Sequence, residues 1–122
     1  GTHFVVTDES QVHENYKDRI IKAKDIDSRV TGRTTGHPVR ALRNEMTRKY
    51  LELENQGASF EELEQLTLGG LRRAVVDGDV KNGSVMAGQI AGMVKERMSC
   101  KDLIGKLVRE TDELIGGKGF YE

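Results

Sequence analysis

Three glycine-containing stretches of this 122-residue sequence carry groups that could hold an anion or face a flat cofactor. At the start, Gly1 followed by Thr2 allows close backbone approach, and the peptide N–H groups there could cradle a phosphate. The same two residues also suit an ordinary strand start. Further on, Thr31-Gly32-Arg33-Thr34-Thr35-Gly36-His37-Pro38-Val39-Arg40 gathers two arginines, a histidine and several hydroxyls on one loop. Guanidinium groups pair with phosphate or carboxylate in a fixed fork, so Arg33, His37 and Arg40 could receive such a ligand. A solvated loop has the same composition. The third stretch, Met86 to Gly92, offers small residues for close packing and one amide, Gln89, that both donates and accepts. Periodicity alone reads it as tight packing.

Other chemistries have little support. His13 and His37 are too far apart for a local metal-ligand pair, and no second cysteine accompanies Cys100 to make a disulfide, zinc or redox motif. Cys100 stands at a cap position just before a helix, which suits an inert, half-buried thiol. Nineteen basic against twenty acidic side chains give a net charge of −1, which provides no cationic field for a nucleic acid. A reducing, cytoplasmic setting is expected.

The elements that must position these groups are mostly helical. Charged residues make up 32% and aromatics 5%, so the core must come from Leu, Ile, Val, Met and Ala on amphipathic helices. One domain is expected at this length. The pattern predicts a strand at Phe4–Val6, a helix from His13 to Lys24, and an extended arm or short strand within 25–38. A helix from Arg40 to Gln56 follows, with Leu42, Met46, Tyr50 and Leu53 on one face and Gly57 at its end. Capping boxes at Ser59–Glu62 and Ser99–Asp102 announce two more helices, and another is expected from Gly70 to Val76. Turn residues flank Val80, and the glycine-spaced segment from Val85 to Met98 is expected to be buried. The last helix carries Leu103, Leu107, Thr111 and Leu114, flanked by Ile104, Val108 and Ile115, and ends at Gly116-Gly117 with a frayed tail. Val85 to Val94 is the longest nearly apolar run and reaches only about half of the roughly 20 residues that span a membrane. No membrane association and no signal peptide are expected.

Taken in order, Gly1-Thr2-His3-Phe4-Val5-Val6, Glu9-Ser10 with His13-Glu14-Asn15-Tyr16-Lys17, Gly36-His37-Pro38-Val39-Arg40 and Gly83-Ser84-Val85-Met86-Ala87-Gly88-Gln89-Ile90-Ala91-Gly92 resemble the last part of the FMN-dependent enoyl-acyl-carrier-protein reductases of FabK type. The related nitronate monooxygenases share the opening Gly-Thr and the later Ala-Gly-Gln. The resemblance implies a mostly α chain with one or two short strands, the C-terminal portion of a (β/α)8 TIM barrel plus its small helical subdomain. Residues 1–24 would be the last barrel strand and its helix, 25–83 the helical subdomain, and 84–122 a return segment and final helix packing on the barrel. Gly1 and Thr2 would close the FMN phosphate cradle, and Gly88 and Gln89 would face flavin or substrate. Arg33, His37 and Arg40 would lie where a nicotinamide nucleotide or acyl carrier protein approaches. His3 stands where the family usually has arginine, so an ionic contribution from that side chain is not inherited.

A full barrel takes about 250 residues, so most of its strands would lie upstream. The family's catalytic histidine lies upstream as well, so no catalytic residue is assigned, and neither His13 nor His37 inherits that role. The parent enzyme would pass hydride from NAD(P)H through FMN to an enoyl thioester in bacterial fatty-acid synthesis, and this piece alone would be inactive. The resemblance leaves a nitronate monooxygenase as an alternative, and a non-catalytic helical interaction module as one of another class. Expected partners are acyl carrier protein or an acyl thioester, the missing N-terminal barrel, and a second copy in a homo-oligomer. An unpaired first strand and an apolar helix face would promote self-association or disorder of the first residues.

Overall fold

Val39 and Ala41 alternate with Arg40 and Leu42, a period-two pattern that places the two pairs on opposite faces of a strand. In the computed structural model, which describes residues 1–24 and 26–116, this strand, β2 (Val39–Leu42), pairs antiparallel with β1 (Ser28–Thr31). The register sets Ser28 against Leu42 and Thr31 against Val39. Leu42 is fully buried, and Ala41 forms a lone bridge with Met86. The helix expected from Arg40 therefore starts late. α3 spans Glu45–Asn55, because Asn44 accepts from the Thr47 N–H while the Thr47 hydroxyl accepts from the Asn44 N–H. That reciprocal cap fixes the switch from strand to helix.

The strand expected over the first residues is instead one helical turn, α1 (Thr2–Val5), whose Phe4 and Val5 amides donate to the Gly1 carbonyl at 3.1 and 3.3 Å. A strand needs a neighbour for its ladder, and none lies beside these residues among those described. Local bonds satisfy the amides instead. The unpaired strand edge expected of this chain is accordingly absent from the described residues.

α2 (Glu14–Ile21) falls within the expected span and is capped by His13, whose Nδ1 accepts from the Asn15 N–H at 3.0 Å. Gly78 lies against that imidazole with φ of +74°, and a Cβ there would come within 2.5 Å of the ring. α4 (Phe60–Thr67) and α6 (Cys100–Leu114) start at Ser59 and Ser99, whose hydroxyls accept from the Glu62 and Asp102 amides at 3.3 and 3.1 Å. α5 spans Gly70–Val75. The stretch after Val85 is extended and then forms a 3-10 turn at Gln89–Met93. Its burial is mixed: Val85, Ala91 and Val94 are buried, whereas Met86, Ile90 and Met93 are exposed. The expected tail beyond Gly116 lies outside the described residues.

Two apolar clusters result. Val6, Tyr16, Ile20, Leu42, Ala74 and Val85 gather α2, β2, α5 and the return segment, while Met46, Tyr50 and Leu63 join α3 to α4. α6 buries only Leu103 and leaves Ile104, Leu107, Val108 and Leu114 exposed, Leu114 by 86%. Its N-terminus is held by Glu9, whose carboxylate accepts from the Cys100 N–H at 2.9 Å. That bond is also the main reason the Glu9 carboxyl sits below its ordinary pKa. No described helix is long and apolar enough to cross a membrane.

Candidate functional site

Thr2 and Gly88, 86 residues apart, meet directly: the Gly88 N–H donates to the Thr2 hydroxyl at 2.9 Å. A Cβ at Gly88 would stand 3.3 Å from that oxygen, a tight contact that would ask the Thr2 side chain to shift by a few tenths of an ångström. Gly1 is exposed, with open space on the side where a Cβ would lie. The fold thus brings two of the sequence-expected stretches into one place, with exposed Gln89 beside them at the start of the 3-10 turn.

Three further contacts hold this return segment. The Tyr16 hydroxyl donates to the Met86 carbonyl at 2.7 Å, and burial pushes the phenol pKa up. The Ala87 N–H donates to the Arg40 carbonyl at 3.3 Å, and Ala41 bridges Met86. Sequence reasoning quoted Tyr16 and Met86 within motifs but gave neither a task. A buried tyrosine needs a partner for its hydroxyl, which was the available signal.

The loop residues are less united than their spacing suggested. Arg33 is exposed, and Arg40 turns its guanidinium to the Ser28 hydroxyl at 2.9 Å, because strand alternation points it away from Val39 and Ala41. His37 is exposed and lies against Phe60, with ring centroids 6.3 Å apart. Of the three, only His37 lines the cavity of about 370 Å³ that opens between the hairpin, α3 and α4. Its apolar walls come from Ala41, Met46, Tyr50 and Leu63, with Phe60, Leu71 and Met86 at its edge. Of these, hydrophobic periodicity flagged only Met46 and Tyr50, as part of one helix face. No group of three metal-ligating side chains exists among the described residues.

A family model described as nitronate monooxygenase matches residues 1–110. The chain belongs to the nitronate monooxygenase family. Members of this family are oxidoreductases. Within it, the chain resembles the solved structure of FabK from Thermotoga maritima at a TM-score of 0.88 and 43% identity, covering 94% of this chain and 36% of that one. FabK is a TIM-barrel enzyme, and the mostly helical fold with two short strands corresponds to part of it. A Staphylococcus saprophyticus family protein named "Probable nitronate monooxygenase" is 30% identical over 94% of this chain and 32% of its own. A Mycobacterium tuberculosis protein named as a hydroxy-methyl-oxo-octahydro-indene-carboxyl-CoA dehydrogenase is 27% identical, over 88% of this chain and 41% of its own. The chain thus spans roughly a third of the length of these proteins, from 32 to 41%.

Proposed function

We propose that the whole protein is an FMN-dependent reductase of enoyl thioesters, in which this stretch supplies one rim of the flavin phosphate seat and the cover over the substrate. The observation that carries this reading is the bond from the Gly88 N–H to the Thr2 hydroxyl. It joins two of the segments that carry the resemblance to FabK-type reductases. The residues fit an anion there: the Thr2 and His3 amides begin a helical turn, and the space over Gly1 is open. Gly1 and Thr2 would hold the phosphate side, with Gly88 and Gln89 toward the ring or substrate. When bound, FMN supplies the hydride relay between NADH or NADPH and the double bond. Arg33 and His37 stand on the exposed hairpin loop, where they could meet a nicotinamide nucleotide or acyl carrier protein. A cytoplasmic setting and a homo-oligomer belong to the same proposal.

The 43% identity to FabK, against 30% to the Staphylococcus protein, supports the reductase branch. The Mycobacterium relative is itself named for a CoA thioester. A nitronate monooxygenase is the second reading, favoured by the family model over residues 1–110. Assay of the full-length yellow protein with crotonyl thioester and NAD(P)H under nitrogen, and with alkyl nitronate in air, separates the two. Reduction of the thioester is expected. Nitronate oxidation without thioester reduction would overturn the reductase assignment.

A further inference from the structure

The cavity beneath the hairpin has walls suited to hydrocarbon. Four threonines line it, and each hydroxyl already donates to a backbone carbonyl: Thr31 to Val39, Thr35 to Gly32, Thr47 to Asn44 and Thr67 to Glu64, at 3.4, 2.9, 3.0 and 3.1 Å. Those four donors are spent; His37, Glu64 and Ser84 also line the cavity, and the stretch of wall formed by Ala41, Met46 and Leu63 is the part that suits an alkyl guest. The volume of about 370 Å³ falls within the range of ligand pockets. Phe60, Leu71 and Met86 stand 52, 45 and 40% exposed at its edge, an apolar rim that a guest would cover. Met86, at the cavity edge, is two residues before Gly88 in the return segment.

We propose that this cavity is the acyl-tail pocket: it receives the alkyl part of a medium-chain enoyl thioester, while the double bond stays outside it on the Gly88 side of Met86. This rests on the enoyl-thioester reading above. The helical cover is then the element that measures chain length.

The test uses the full-length flavoprotein and trans-2-enoyl N-acetylcysteamine thioesters from four to twelve carbons. The expected kcat/KM rises roughly two- to fourfold per added methylene until the cavity is filled. Thr67→Phe, which places a ring in the cavity, should lower the ratio of decenoyl to crotonyl kcat/KM at least tenfold with flavin content retained. If that variant loses flavin, Leu71→Trp at the exposed rim serves as the same plug. A flat length profile, or a ratio unmoved by a plug in a flavin-loaded variant, overturns the pocket and leaves the reductase assignment standing. It would mean that another part of the same polypeptide fills the cavity. Failure to reduce any thioester, with nitronate oxidised, overturns the reductase assignment and this pocket together.

Discussion

Asp27 is where one N–H and two guanidinium groups converge on one carboxylate: the Lys24 N–H and Arg43 donate at 2.9 and 3.2 Å, and Arg19 forms an ion pair at 3.8 Å. The Lys24 bond first, then the two arginines, hold its pKa below the ordinary value, against the opposing effect of burial. A carboxyl depressed on folding contributes stability that is complete above its unfolded pKa and is lost as pH falls through the folded one. Asp27→Asn keeps an acceptor for Lys24 and removes the charge. It should cost about 1 kcal/mol at neutral pH and flatten the acid limb of the stability curve, as read by urea titrations at several pH values. An acid limb identical to wild type would show that the arginines draw nothing from the charge. Thr2 makes a second prediction at this scale. Thr2→Val removes the acceptor of the Gly88 N–H, and the full-length protein should bind FMN about tenfold more weakly, with Thr2→Ser close to wild type. Equal affinity in the valine variant would remove Thr2 from the cofactor rim.

Among the elements, the helix starts signalled by a hydroxyl were legible. Ser59 and Ser99 cap where their spacing predicted, although the structure shows only the serine half of each box. The buried face of α2, with Tyr16 and Ile20, was likewise readable from periodicity. The switch at Asn44 was missed, because Leu42, Met46 and Tyr50 keep helical spacing across a boundary set by hydrogen bonds. Leu42 belongs to a strand and to a different cluster from Met46 and Tyr50. The cue was present in Asn44-Glu45-Met46-Thr47, a cap residue followed at the third position by a hydroxyl. Asn44 also donates to the carbonyls of Val80 and Gly83 at 2.8 and 2.7 Å. Asn44→Ala should therefore cost about 2 to 3 kcal/mol in chemical denaturation, more than a simple cap loss. A loss below about 0.5 kcal/mol would mean the helix start is held by the sheet instead. The opening turn failed as a strand for a related reason: β-branched residues make a strand only when a partner is present to complete the ladder.

At the scale of the whole molecule, the site was legible in part. The meeting of Thr2 with Gly88 could be expected only through the family resemblance, since no local pattern links residues so far apart. The cavity was not legible, because its walls are drawn from the hairpin, α3, α4 and the return segment at once. The exposed apolar face of α6 is the feature most open to partners. We expect the chain produced alone to self-associate through it, as measured by size exclusion with light scattering. The double variant Ile104→Glu, Val108→Glu should elute as a monomer with unchanged helicity, because both side chains are already exposed, by 52 and 42%. A wild-type monomer at high concentration would contradict this.

The single hydrogen bond between Thr2 and Gly88 has a topological consequence. The polypeptide departs from one point and comes back to it, so the hairpin and α2 to α5 form an excursion whose two ends touch. Such a loop resembles a domain insertion whose ends lie side by side, and an exchange must keep the contacts of Tyr16, Arg40 and Ala41 that also hold the return segment. Grafting a different excursion between the same two anchoring residues is thus the natural way to alter which molecules this scaffold accepts.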